Sequence, residues 1–536
     1  MSPRRANTRI LTGAGIVLLT LIGMLAFTWR TWPEPVIDFG RELYVPWQLS
    51  EGKLLYRDIA YFNGPLSPYF NALAFKVLGV SLVKLVAANI AILVGVLAML
   101  HRLAAKMSEE ITATLACCAF VVLLAVGQPG PVGNYNFITP YSHEMTHGIA
   151  LSLASMLCLV RFMETRKLAW VGASGALVGL VFLTKPEIFL AASIAIAIGA
   201  LLATRGTKRR WIDLSAFVAC GFAIILLAFG LLSMALSIRE AASGMLGAWR
   251  WSLDSRITGN PFYQWVRGTL DLDRTLEILF ATTVGYLLLF ALPAGVGWFA
   301  AADRSRRLWQ LFVSFALVTV LLLMLKDWIN WQEVARPLLF VTIICVGVAW
   351  FDLKSERGIL KLVFAIFALL LLAKIALHVQ FFHYGFALAA PALVLAIVAV
   401  QCWLPAWINQ NGGSGAMLRG ASLAAIVVTA GMYLSYEYAV AAHKTTLVGT
   451  DGDAFYTFEI GARVNRIVER VKQTPPGSTV VVVPQGVMIN YLARRPSSIP
   501  FIVQMPPEVI MFSQGRILDS FKEHPPDYVV YLGANS

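Results

Sequence analysis

Apolar residues in this chain fall into long runs separated by short polar breaks, a spacing that suits helices in a bilayer. About thirteen runs reach or approach the 17–25 residues needed to cross a hydrocarbon core. They lie near Ile10–Thr28, Val83–Leu103, Ile111–Gly127, Met145–Val160, Leu168–Thr184, Ile188–Ala203 and Ile212–Ala235. The series continues with Leu276–Phe299, Leu308–Leu325, Pro337–Phe351, Leu360–Leu377, Tyr384–Leu404 and Ala421–Tyr438. One further run, Leu66–Leu82, is interrupted by Pro68, Asn71 and Lys76, which predicts an amphipathic helix in the membrane interface rather than another span. From about residue 441 the pattern changes. GARVNRIVERV has helical period, TVVVV and YVVYL read as strands, and PPG, RRPSS and HPPD punctuate them. The expected organisation is a polytopic α-helical membrane core over 1–440, with a first outer loop at 29–82, followed by a small outward-facing α/β domain over 441–536.

Composition agrees with this class. Hydrophobic residues make up 58% of the chain and charged residues 14%, too few to cover a soluble protein of 536 residues. The net charge of +13 does not point to nucleic acid, because much of it sits in short loops between spans. With Arg4, Arg5 and Arg9 holding the N-terminus inside, thirteen spans place most of the basic loops inside too. These carry Arg102 and Lys106; Arg161, Arg166 and Lys167; Arg205, Lys208, Arg209 and Arg210; Arg304, Arg306 and Arg307; Lys354 and Arg357. The outer loop Gln128–Glu144 has no Lys or Arg, and an extra span at Leu66–Leu82 would move the basic clusters outside. The C-terminus is then expected outside, and the run Ile10–Phe27, which lacks a small-residue cleavage site, is expected to stay as the first span. All six cysteines lie in apolar runs and imply neither a disulfide framework nor a thiolate metal site.

Candidate chemistry gathers in the outer loops. After the first span comes VIDFGRELYVPWQLSEGKLLYRDIAYFNG, acidic and aromatic, with Asp38 and Glu42 at the membrane surface. Gly40 permits a close backbone approach, while Pro33, Pro35 and Pro46 restrict the loop to a defined shape. An ionised carboxylate there is placed to take a proton from an acceptor hydroxyl or amine. An ordinary solvated loop with interfacial Trp and Tyr anchors gives the same composition. A second string, His143-Glu144-Met145-Thr146-His147, matches H-E-x-x-H, which on a helix turns two histidines to one face for zinc. No third ligand with a recognisable local motif accompanies it. Lys185 directly follows the fifth span, and the outer loop 236–275 carries Arg239, Arg250, Arg256, Arg267 and Arg274 among tryptophans. Lys326 and Arg336 bracket the next outer loop. Such cations either snorkel to headgroups or bind an anionic ligand.

The stretch IDFGRELYVPWQLSEGKLLYRDIAYFNGPLSPYFNALAFKVLGVSL resembles the first outer loop of the GT-C superfamily of membrane glycosyltransferases. The likeness is to the branch that holds protein O-mannosyltransferases and the lipid A aminoarabinose transferase. GALVGLVFLTKPEIFLAA, WQEVARPLLF and HYGFALAAPALV are similar to later segments of that family. The resemblance implies a multispan core with an outward C-terminal domain, located in the cytoplasmic (inner) membrane. It also implies transfer of a sugar from a polyprenyl-phosphate carrier, with inversion at the anomeric carbon, to a glycan, lipid or protein acceptor at the outer face. By this resemblance Asp38 is the general base. The commoner family motif has Glu directly after Asp; here the next carboxylate is Glu42, the second catalytic candidate. His143, Glu144, His147, Lys185, Arg250, Arg256 and Arg336 become candidates for binding acceptor or carrier phosphate. A divalent metal ion is the one cofactor suggested, on His143 and Glu144. Two other readings remain open at this point: a transporter or flippase of lipid-linked sugar, and a zinc membrane protease built on His143, Glu144 and His147. Acidic side chains are nearly absent from the spans, which favours an enzyme working at the interface over a transporter.

Overall fold

The structure is a computed structural model that describes residues 3–130, 132–300 and 306–533, and the side chains of its first helix from residue 11 onward. The side chains of Arg4, Arg5 and Arg9, and the whole of Arg304, lie outside the described residues. Helices dominate. Nine are long and apolar enough to cross a membrane, among the described residues, and the remaining predicted spans coincide with shorter apolar helices of 10–17 residues. The apolar pattern therefore locates the apolar helices, of which nine reach spanning length among the described residues.

The helices that position the site come early in the chain. They are α1 (Pro3–Phe27), α2 (Phe39–Ser50), α3 (Leu66–Leu78), α4 (Leu82–Met107), α5 (Glu110–Phe120), α6 (His143–Thr165), α7 (Leu168–Phe182), α8 (Pro186–Ala203) and α9 (Arg210–Ser233). The interrupted run at 66–82 indeed gives a separate short helix, α3, and not a span. Lys76 sits in its last turn, where a cation complements the helix dipole.

α2 is unusual because it is buried on every side. All residues from Phe39 to Leu49 are shielded, Arg41, Glu42 and Gln48 included. It lies between the membrane helices and the C-terminal segment. Gly40 shows why that packing is possible: a Cβ there would come within 2.4 Å of the backbone nitrogen of Met488. Ser497 N donates to Tyr44 Oη at 2.8 Å, and Ala60 N donates to the Pro500 carbonyl at 2.9 Å. Trp47 packs edge-on against Tyr491, their ring centres 6.2 Å apart.

The far end of the segment between α2 and α3 is clamped to the turn between α7 and α8. Gly64 N donates to the Thr184 carbonyl at 2.9 Å and Leu66 N to the Leu183 carbonyl at 3.1 Å. A Cβ on Gly64 would collide with the Leu183 backbone, so glycine is required by space alone. The irregular stretch before α6 is almost wholly buried, which is tolerable at membrane depth only where protein satisfies the backbone. Asn136 Oδ1 does part of that by accepting from Ile138 N at 2.7 Å and Thr139 N at 2.8 Å.

After the last long helix, Ala416–Ala441, the chain forms two small sheets. β1 (Thr446–Val448) pairs antiparallel with β2 (Phe455–Thr457), and β3 (Val480–Val483) pairs parallel with β4 (Tyr528–Tyr531). The amphipathic helix Ile460–Lys472 lies between the two sheets in sequence. Its Val464, Val468 and Val471 belong to the same continuous apolar core as α2 and the membrane helices.

Replacing Gly40 by Ala should separate α2 from the segment around Met488. We expect a loss of about 1–3 kcal/mol, the usual cost of overpacking, read as a lower Tm of the purified protein in detergent. An unchanged Tm would mean that this contact is slack.

Candidate active site

Asp38 stands at the N-terminal end of α2 in a conformation that side chains rarely adopt, with φ 63° and ψ −58°. Residues held this way cost energy and persist where the surroundings over-determine them, often at functional sites. Its carboxylate does not cap its own helix. Instead it accepts from Tyr135 Oη at 3.4 Å, and Tyr141 also hydrogen bonds to it. Asp38 stays partly accessible although protein crowds it closely. Burial pushes its pKa up to about 6, against the opposing pull of Arg41.

Glu42, one turn along α2, is differently placed. Its Oε1 accepts from Arg41 Nη2 at 2.9 Å and Nε at 3.3 Å, and its Oε2 accepts from His143 Nδ1 at 2.6 Å and His143 N at 3.2 Å. Burial alone would raise the Glu42 pKa, but the Arg41 charge and the His143 hydrogen bond hold it well below the usual range. Both oxygens are occupied, which makes Glu42 a positioning residue and removes it as a second base. Arg41 is itself fixed by aromatic faces, 4.6 Å from the ring centre of Tyr141 and 5.3 Å from that of Tyr61.

The H-E-x-x-H string does begin a helix, α6; His143 is fully engaged there, while His147 keeps its Nε2 without a hydrogen-bond partner among the described residues. His143 donates from Nδ1 to Glu42, so its Nε2 is the acceptor for Asn89 Nδ2 at 3.1 Å. No lone pair remains. His147 Nδ1 meets Ser67 Oγ at 3.0 Å. Among the described residues no group of three or more His, Cys, Asp or Glu side chains is placed to hold a metal ion. The donor set therefore does not fit a metal on His143 and Glu144, and the protease reading loses its centre.

Glu144 is wholly buried. Its Oε1 accepts from Tyr61 Oη, while Oε2 has no hydrogen-bond partner among the described residues. Arg41 and Lys185 both lie within its electrostatic reach. Lys185 precedes α8, and its Nζ has no acceptor among the described residues; it sits 5.9 Å from the ring centre of Tyr384. Burial lowers its pKa to about 8, with Glu187 opposing and Lys374 reinforcing the shift. Lys374 lies 4.6 Å from the same ring centre and pairs with Glu187 at 2.6 Å. Arg41 thus lies within electrostatic reach of Asp38, Glu144 and Lys185 alike.

The arginines of the 236–275 loop do not join this cluster. Arg250 lies over its neighbour Trp251, and Arg256 is an exposed partner of Asp254 at 2.7 Å. Asp254 captures the Arg256 guanidinium through Nε and Nη2. Arg336 is buried, yet its donors go to Glu333 at 3.1 Å and the Leu377 carbonyl at 2.9 Å, a structural tether. What this loop gives the site is aromatic: the rings of Phe262 and Trp265 each lie 5.5 Å from that of His383, which in turn packs 4.3 Å from Tyr135.

Sequence reasoning missed several members. Tyr61, Tyr135, Tyr141 and Tyr384 line the network; Glu187 was visible two positions after Lys185, and Tyr384 inside the segment HYGFALAAPALV. Glu508 had no local signal. It arrives from the C-terminal segment, close enough to Arg41 and Asp38 to feel both, and burial raises its pKa to about 7.

Residues 63–233 match the family of dolichyl-phosphate-mannose-protein mannosyltransferases. No curated protein sequence matches the chain. Among solved structures it is similar to the Archaeoglobus fulgidus oligosaccharyltransferase in complex with Zn and sulfate, with 13% identity and a TM-score of 0.51 over 91% of this chain. The chain spans 62% of the length of that protein. It is also similar to ArnT from Cupriavidus metallidurans bound to undecaprenyl phosphate, with 14% identity and a TM-score of 0.50 over 97% of this chain and 89% of that one. The fold is therefore that of the GT-C membrane glycosyltransferases, and the chain is a multi-pass membrane protein.

Glu42→Gln should damage the network without touching Asp38. Removing one partner of a buried ion pair leaves Arg41 uncompensated, at a cost of about 3–5 kcal/mol. We expect poor yield or a sharply lowered Tm, compared by thermal unfolding with an Asp38→Asn protein that stays close to wild type.

Proposed function

We propose that this protein is a membrane glycosyltransferase that moves a sugar from a polyprenyl-phosphate carrier to an acceptor at the outer face of the cytoplasmic membrane, with Asp38 as general base. The observation that carries the reading is a partly accessible carboxylate with a raised pKa whose charge reaches Tyr384, the ring about which two lysines are stacked. The family match over 63–233 and the undecaprenyl phosphate bound by ArnT support the same chemistry.

The division of labour follows from charge. Asp38 takes the proton of the acceptor O–H or N–H as that atom bonds to the anomeric carbon. The bond from that carbon to the carrier phosphate breaks on the opposite side, giving inversion. Negative charge then grows on the leaving phosphate. Lys185, which has no other acceptor among the described residues, is free to meet it, and Lys374 adds a second positive charge. Arg41 cannot leave its pair with Glu42 and contributes field only. Tyr61, Tyr135 and Tyr141 hold Glu144 and Asp38 in place and help exclude water. Glu144, with one free oxygen, is suited to a hydroxyl or amine donor of the substrate. The basic loops, read as cytoplasmic, support an outer position for this site and the C-terminal segment.

Two outcomes test the assignment. Asp38→Asn should lower transfer from polyprenyl-phosphate sugars by about 10²–10⁴-fold while carrier binding persists; wild-type turnover would refute the base. The pH profile of kcat/KM should be a bell. Activity should fall as pH drops through about 6, where Asp38 gains its proton, and fall again above about 8, where Lys185 loses its charge. A flat profile across this range would contradict both roles.

A further inference from the structure

A cleft between the first outer loop and the C-terminal segment belongs to none of the steps above. It encloses about 580 Å³. Tyr44 and Gln48 of α2 line it together with the loop that follows α2 and with residues of the C-terminal segment. The hydrogen bonds from Ser497 N to Tyr44 Oη and from Ala60 N to the Pro500 carbonyl fasten these two sides together.

Its charges cancel. Lys53, Arg57 and Arg516 face Asp58, Asp519 and Glu523, three of each sign, so the cleft has no field to select a polyanion or a polycation. Its neutral polar groups include the Gln48 amide and the Ser498 hydroxyl, which donates to the His524 carbonyl and keeps its acceptor capacity. Gln48 is 3% exposed, and its Nε2 has no hydrogen-bond partner among the described residues, an uncommon condition for a buried amide. Tyr44 and Phe501 add aromatic surface. Hydroxyl groups that donate and accept, carried on a frame with flat C–H faces, answer all of these features at once.

We propose that this cleft is a saccharide-binding subsite that holds an oligosaccharide part of the acceptor, away from the reacting group. α2 sets the distance: Asp38 stands at its start and Gln48 ten positions later, about 15 Å along the axis at about 1.5 Å per residue. An extended glycan of a few units spans that length. The link to the reacting group rests on the transfer reading above; binding in the cleft does not.

The test is saturation-transfer NMR on the full-length protein in detergent, with β-1,4-linked N-acetylglucosamine and α-1,4-linked glucose oligomers of one to six units as probes. Oligomers of three or more units should receive saturation, and monosaccharides should not. Ser498→Trp, which fills the cleft, and Lys53→Trp, at its exposed rim, should each weaken binding at least tenfold with little change in Tm. Asp38→Asn should bind as wild type does. Absence of transfer to every oligomer would overturn the proposal, as would undiminished binding in both Trp variants. Displacement of the oligomer by a Gly-Ser hexapeptide would overturn it in favour of a peptide site. Retained oligomer binding together with wild-type turnover of Asp38→Asn would sink the assignment of the base and leave the cleft standing.

Discussion

Glu42 holds two parts of the protein at once, taking Arg41 from its own helix on one oxygen and His143, the first residue of α6, on the other. Neither partner has water to fall back on, since all three side chains are buried. A pair of charges so far from solvent costs several kcal/mol to bury and repays it only in good geometry, so the cost of misplacement is steep. That constraint fixes α2 against α6. Arg41 of α2 and Glu144, one residue into α6, come within electrostatic reach of each other as a consequence. Asn89 on α4 closes the arrangement by donating to the far nitrogen of His143.

The charged cluster that results is electrostatically divided. Glu42 and Glu187 are committed to Arg41 and Lys374, and these pairs are structural. Asp38, Glu144 and Lys185 keep unspent capacity: a carboxylate near the middle of its titration range, a carboxylate oxygen without a partner, and an ammonium without an acceptor. Groups poised in this way are what proton transfer and phosphate departure require, and buried structural pairs alone would not leave them.

Much of this was legible in the sequence, for reasons that differ by residue. The long apolar runs located the membrane helices because bilayer thickness sets their length, and Pro68, Asn71 and Lys76 marked α3 as something other than a span. Asp38 and Lys185 were visible because each is a charge set directly at the end of an apolar run. The H-E-x-x-H string left metal binding open because spacing tells which face the histidines share, while the engagement of His143 depends on Glu42 and Asn89, both distant in sequence. Arg256 is the opposite case: its partner, Asp254, is local in sequence. Glu508 was illegible because no local pattern foretells that the C-terminal segment folds back onto α2.

The central claim is that the site at the start of α2 is where the carrier phosphate and the base meet. A structure of the purified protein with undecaprenyl phosphate addresses it directly. The account predicts phosphate oxygens about 2.7–2.9 Å from Lys185 Nζ, the distance of a charge-assisted hydrogen bond, in the same site as the Asp38 carboxylate. A phosphate seated elsewhere on the outer surface, with Lys185 untouched, would contradict it.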